Sequence, residues 1–154
     1  APAIGAYGGD VPIGLSGSWH AGNAATNEAL AAGVRLGAAS IVVAPCCHHE
    51  LAAQIAGQKD ALLRHGLLLG RQADLVTDAL RASALEMLGY RVDVIEFVSA
   101  EHTAKNLMLR AERAPSALRV ERAAAEDVEL RDRGGVEPAI ERLLGDGLPV
   151  SQRP

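Results

Sequence analysis

Four residues with chemically versatile side chains, Cys46 to His49, directly follow a short apolar run. Thiols and imidazoles can act as nucleophiles, exchange protons or bind metal ions. The run from Ile41 to Ala44 is β-branched except at its end and stops at Pro45, which is typical of a strand buried on both faces. Because ligands collect at the carboxyl ends of strands in open α/β sheets, we expect the functional site here.

Three interpretations of these four residues are open. A zinc site would use the usual ligand types, but structural zinc sites take ligand pairs separated by about two to four residues, so the contiguous spacing argues against it. In the second interpretation, one cysteine is a nucleophile, because a helix N-terminus acidifies a thiol. In the third, one cysteine is a small core residue, and His48 and His49 cap a helix or face solvent. For each histidine taken alone we favour the third.

A second group of candidates, Trp19 and His20, lies in a glycine-rich loop between a weak predicted strand, Val11 to Leu15, and a predicted helix. In a parallel sheet, neighbouring strand ends meet at one edge, so we expect His20 to lie beside Pro45 and Cys46. The alternative is that His20 is a surface residue and that Trp19, the single tryptophan, plugs the end of the sheet.

The pattern of apolar residues and glycines predicts the elements that position these candidates. Only six residues, 100–105, join the last two predicted strands. A parallel crossover needs about a dozen, so these strands should form an antiparallel hairpin. The predicted helices are Asn23 to Gly37, Glu50 to Gly57, Asp60 to Gly70 (helical or irregular), Asp74 to Leu88 and Pro138 to Leu144, and the predicted strands are Ser40 to Ala44, Arg91 to Ser99 and Asn106 to Ala111.

Composition limits the class of protein. A chain of 154 residues with 49% hydrophobic but only 3% aromatic residues can bury one core, made mainly of Ala, Leu and Val. The net charge of −4 argues against a general polyanion binder. No apolar run approaches the roughly 18 residues of a membrane span, so we expect no membrane partner. The two adjacent cysteines favour free thiols and hence a reducing, cytoplasmic compartment.

Four separate segments together resemble one family. Residues 19–30 read WHAGNAATNEAL, 44–51 read APCCHHEL, 71–82 read RQADLVTDALRA and 96–106 read EFVSAEHTAKN. They are similar to class I SAM-dependent methyltransferases, in the branch marked by a His-Ala-Cys-Asp-x-Ala-Thr-Asp segment, a Pro-Cys-Cys segment and a Glu-His-Thr-Pro-Lys-Asn turn. The resemblance runs from about Leu15 to Leu144.

The resemblance implies an α/β fold: a partial Rossmann-like methyltransferase sheet, the C-terminal half, with parallel strands ending in an antiparallel hairpin and flanked by helices. We therefore divide the chain into an irregular N-terminal segment, 1–14, the C-terminal half of a methyltransferase-like domain, 15–113, and a charged helical tail, 114–154.

The implied activity is methyl transfer from S-adenosylmethionine (SAM) to an acceptor that the sequence does not identify, either RNA or protein. On this view Trp19, His20 and Ala21 border SAM. Pro45, Cys46 and Cys47 line the acceptor side and, with His20, form the candidate catalytic set. Methyl transfer needs little beyond in-line positioning of the nucleophile and the sulfonium, so no catalytic triad is expected.

The chain departs from the family pattern at several positions. Gly22, Asn23 and Asn27 stand where the family has a cysteine and two aspartates, and Ala104 replaces the proline of the turn. The family's earlier strands, which carry the glycine-rich SAM turn, have no counterpart. The alternative function is therefore a non-catalytic binding or assembly fragment that has lost the SAM-binding half. An exposed sheet edge would favour a homo-oligomer or a second polypeptide along that edge.

Overall fold

A computed structural model describes residues 22–148 except 46, 47, 100, 102 and 104. The predicted strand Val11 to Leu15 lies outside the described residues. The described part is α/β: its helices pack around a three-stranded antiparallel sheet. Its helices are α1 (Gly22–Arg35), α2 (His49–Ile55), α3 (Gly66–Met87), α4 (Ala117–Gly134) and α5 (Ala139–Leu144), its strands are β1 (Ser40–Val43), β2 (Tyr90–Glu96) and β3 (Leu107–Arg113), and two 3₁₀ turns cover Leu62–Arg64 and Gly145–Gly147.

The order of strands in the sheet is β1-β3-β2, and β3 is antiparallel to both neighbours. The predicted hairpin is thereby confirmed, with Tyr90 opposite Arg113 and Glu96 opposite Leu107. In the described part of the chain, no two hydrogen-bonded strands are parallel, but β1 and β2 run in the same direction on either side of β3. Helices α2 and α3 form the connection between β1 and β2.

Strand β1 forms where the β-branched run predicts it, but its burial is one-sided. Ile41 and Val43 are buried in the core, whereas Val42 is only half buried. The prediction of a strand buried on both faces is therefore wrong for the described structure. The cause is the pleat, which sends alternate side chains to opposite faces, and only the face of Ile41 and Val43 meets the core cluster.

Two predicted helix stops are confirmed. Gly37 and Gly89 follow α1 and α3 with φ values of 65° and 86°, a left-handed conformation that costs glycine little. Helix α3 begins at Gly66, eight residues before the predicted start at Asp74. The 18-residue helix α4 lies in the segment 114–154 that was predicted as a charged helical tail, but its bounds were not predicted. It starts at Ser116, whose hydroxyl accepts a hydrogen bond from the Arg119 backbone N–H.

The core is aliphatic, as the composition predicts, with Ala and Leu the commonest buried residues. Helix α3 packs against α2, α4 and β2, and α1 packs against β1 and α5. The segment after residue 114 thus joins the core, since Ala123 and Ile140 belong to the same buried cluster as Ile41. Among the described residues, no helix combines the length and the apolar character needed to cross a membrane.

Candidate functional site

The site centres on His48, between the end of β1 and the start of α2. Its side chain is buried, with 4% of its surface exposed. The predicted capping or solvent-facing role of His48 is wrong, because its side chain makes no capping hydrogen bond. The imidazole turns to helix α3 instead. Its Nε2 lies 2.9 and 3.0 Å from the two carboxylate oxygens of Asp78, and its Nδ1 lies 3.1 Å from Oδ1 of Asp74.

Helical periodicity brings three charged residues of α3 to one face. Asp74, Asp78 and Arg81 are four and three residues apart, so their side chains lie above one another. Arg81 is fully buried, and its Nη1 donates to Oδ1 of Asp78 at 2.9 Å. Its Nε donates to Oδ1 of Asn27 on α1 at 2.8 Å. A buried guanidinium requires such partners, since an unpaired charge in the core is strongly destabilising.

Lys105, in the connection between β2 and β3, closes the network on the solvent side. Its ammonium donates to Oδ2 of Asp74 and lies 3.2 Å from Nδ1 of His48. Lys105 and Asp74 have side chains that are 37% and 32% exposed. Asn106 fixes this connection, because its side-chain amide donates to the Val98 carbonyl at 3.1 Å. The network therefore runs from a buried end at Arg81 to an accessible end at Lys105.

The tautomer of His48 sets the direction of its hydrogen bonds. With the proton on Nε2, the imidazole donates to Asp78 and accepts from Lys105 through Nδ1. The carboxylates of Asp74 and Asp78 also bind the Lys105 ammonium and the Arg81 guanidinium, respectively. The accessible end is therefore held by the contacts of Lys105 with both His48 and Asp74.

A small cleft opens over the accessible end of the network. Its volume of about 30 Å³ accommodates about two water molecules, each needing roughly 10–15 Å³. The cleft lies beyond the carboxyl ends of β1 and β2, where α/β sheets place their ligands. The lining residues come from the segment after β1, from α3 and from the start of β3; they are Pro45, His48, Asp74, Asp78, Lys105, Asn106 and Leu107.

The network is not arranged as a metal site. Each ring nitrogen of His48 is already directed at a carboxylate, and the Lys105 ammonium lies where a cation would have to bind. Within the described ranges, no group of three or more His, Cys, Asp or Glu side chains is positioned to hold a metal ion.

Of the predicted site residues, Pro45 lines the cleft. Trp19, His20, Ala21, Cys46 and Cys47 lie outside the described residues.

The sequence places His48 at the expected site but favours a capping or solvent-facing role for it, and it assigns no site role to Asp74, Asp78, Arg81 or Lys105. One signal was available for α3, where Asp78 and Arg81 interrupt the apolar positions of an amphipathic helix. Charged residues at core positions indicate paired, buried groups.

In comparisons with protein-family models, with curated proteins and with solved structures, nothing matches this chain.

Proposed function

We propose that the chain is the acceptor-side half of a SAM-dependent methyltransferase domain, with its methyl acceptor bound at the cleft beside Lys105. One observation carries this proposal: each of the four segments that resemble the family contributes to one hydrogen-bonded network. Asn27 comes from the first segment, His48 from the second, Asp78 and Arg81 from the third, and Lys105 from the fourth. Segments far apart in sequence that converge on one polar network are expected of a shared site.

The sheet supports the same proposal. A class I methyltransferase sheet ends in a reversed strand, and β3 is the last strand of the described residues, antiparallel to both β1 and β2. The cleft lies at the carboxyl ends of β1 and β2, the side on which such a sheet would bind SAM.

The exposed residues of the network, Asp74 and Lys105, have side chains that can position a methyl acceptor. A nitrogen or oxygen acceptor attacks the methyl carbon in line with the sulfonium, so its orientation matters more than acid or base strength. The Asp74 carboxylate can accept a hydrogen bond from the acceptor's N–H or O–H, and the Lys105 ammonium can donate to an acceptor oxygen. The buried pair of Asp78 and Arg81 holds His48, which in turn contacts both exposed groups. Trp19, His20 and Ala21 would border SAM, and Pro45, Cys46 and Cys47 the acceptor.

Trp19 provides a direct test, because it is the only tryptophan of the chain. We expect S-adenosylhomocysteine to change Trp19 fluorescence with a saturable dependence on concentration. Calorimetric titration of SAM should give the same order of affinity. ATP is the matched control, since it shares the adenosine but lacks the amino-acid part. The absence of a saturable response to S-adenosylhomocysteine at millimolar concentration, or an equal response to ATP, would refute the proposal.

A second candidate, a non-catalytic assembly module, is favoured by the edge of β1. In the part of the chain that the structure describes, β1 is hydrogen-bonded to β3 on one side and to no strand on the other. An open strand edge is a template for pairing with a second copy or another polypeptide. Light scattering after size exclusion tests this. A concentration-dependent dimer without any SAM binding would favour assembly, whereas a monomer at all concentrations would count against it.

A further inference from the structure

An exposed apolar surface covers the first half of α3 and the 3₁₀ turn before it. It comprises Leu62, Leu67, Leu68 and Leu75, which are 55%, 71%, 40% and 64% exposed, and we call it the leucine surface. These are four of the eight large hydrophobic side chains found exposed in the described residues. Leu67 and Leu68 precede Leu75 by eight and seven residues of α3, so these three side chains lie on one side of the helix, unlike scattered surface leucines, as is typical of an interaction site.

The leucine surface leads directly to the cleft. Leu67, Arg71, Asp74 and Asp78 are separated by four, three and four residues of α3, so they share one helix face. At a rise of about 1.5 Å per residue, Leu67 lies about 10 Å along the axis from Asp74. A ligand on the leucine surface can therefore reach the cleft without leaving this face.

Three cations next to these leucines in the sequence form no ion pair with any residue that the structure describes. Lys59, Arg64 and Arg71 are exposed, and within the described ranges none of them takes part in an ion pair. By contrast, the α4 arginines Arg122 and Arg133 are paired with carboxylates. A chain of net charge −4 thus leaves three positive charges available beside its exposed leucines.

We propose that the leucine surface, with Lys59, Arg64 and Arg71, docks an acidic polypeptide segment that carries leucine-like side chains. Carboxylates of the partner complement the three cations, and its apolar side chains cover the leucines. RNA fits less well, because the surface has no aromatic side chain for base stacking.

In the context of methyl transfer, this surface makes the acceptor a protein rather than RNA. That role rests on the proposed function, whereas the docking itself does not. The two are tested separately, because peptide binding is measured without SAM and SAM binding is measured without peptide.

The test is fluorescence anisotropy of a labelled 12-residue peptide, three repeats of Glu-Leu-Leu-Glu, added to the full chain. We expect binding tighter than about 100 μM, and at least tenfold weaker binding for the Gln-Leu-Leu-Gln and Glu-Ser-Ser-Glu versions. Equal binding of all three peptides, or no binding, would overturn the proposal.

Two pairs of matched variants locate the surface. Leu67→Ser with Leu75→Ser should weaken peptide binding at least tenfold, while Leu36→Ser with Leu118→Ser removes two equally exposed leucines elsewhere and should leave binding unchanged. All four positions are exposed, so the fold should persist, and circular dichroism checks this. Equal effects of the two double variants on peptide binding would overturn the proposal.

A second pair of double variants tests whether binding requires the positive charges. Arg64→Gln with Arg71→Gln should weaken binding about tenfold, and Arg122→Gln with Arg133→Gln, which removes the same charge from α4, should not. Tighter binding to vesicles of phosphatidylcholine and phosphatidylserine (7:3) or to a 12-nucleotide oligouridine than to the acidic peptide would overturn the assignment. So would a dimer of the chain that dissociates in the Leu67→Ser, Leu75→Ser double variant.

Discussion

The buried end of the network makes a quantitative prediction through Asp78 and Arg81. Replacing Asp78 by leucine leaves the Arg81 guanidinium fully buried without the carboxylate to which Nη1 donates. Removing one partner of a buried ion pair costs about 3–5 kcal/mol. For a chain of this size each kcal/mol lowers Tm by about 2–4 °C, so we expect Asp78→Leu to lower Tm by about 6–20 °C.

The double variant separates this charge effect from lost packing. Arg81→Met alone keeps the hydrogen bond between Asp78 and His48 and removes the buried guanidinium. It should therefore lower the free energy of unfolding by about 1–3 kcal/mol. In Asp78→Leu, Arg81→Met the buried guanidinium that would have lost the Asp78 carboxylate is itself absent. The double variant should therefore be at least about 2 kcal/mol more stable than the sum of the single effects predicts. It should stay below the wild type, because His48 Nε2 loses its acceptor.

Urea unfolding followed by circular dichroism measures all four proteins of this cycle. Asp78→Asn replaces Asp78→Leu if the leucine variant does not fold, since it removes the charge at nearly constant volume. Single effects that add to the double effect within about 0.5 kcal/mol would refute the inference that Arg81 is held in the core by the carboxylate of Asp78.

The remaining predictions concern the sheet surface and two glycines. The hydrogen bond from Arg110 lowers the pKa of Asp93 from its ordinary value of 3.8, so Arg110→Gln should raise that pKa, as a carboxyl NMR titration would detect. Because the folded pKa is the lower one, the pair stabilises the fold above pH 3.8 and this contribution is lost as pH falls through the folded value. Gly33→Ala should be about 1–3 kcal/mol less favourable than Gly70→Ala, since the new Cβ would lie 3.0 Å from the buried Ile41 side chain. Gly70→Ala, also within a helix but with open space around it, should stabilise by about 0.4–1 kcal/mol, and the same unfolding experiment compares the two glycines.

Local signals in the sequence predicted most of the fold. The β-branched run from Ile41 gave β1, the short connection after Ser99 gave the hairpin, and Gly37 and Gly89 marked helix ends. The segment 114–154 was predicted as a charged helical tail, but the bounds of α4 were missed because its mean hydropathy is low and its buried residues include the small Ala123 and the charged Asp127. Its apolar stripe is thus too weak to see, although Ser116 offered a capping signal.

The site depended on contacts that periodicity cannot detect. His48 pairs with Asp78 thirty residues later and with Lys105 from another element. Each of these residues, taken alone, resembles an ordinary surface polar group. Likewise, the start of α3 was predicted too late because Leu67 and Leu68 are exposed. They lie off the buried stripe from which the helix was predicted.

The position of β3 between β1 and β2 also constrains the order in which the protein can fold. The hairpin of β2 and β3 has a short connection and pairs early, on the microsecond timescale of isolated hairpins. Strand β1 can join the sheet only after β3 has been made, because Ser40 pairs with Glu112 and no earlier strand of the described chain pairs with β1. On the ribosome, the apolar residues of β1 therefore emerge long before their partner strand and depend on α1 for cover. We expect this interval to be the step most exposed to aggregation, and the late docking of β1 to limit the rate of folding.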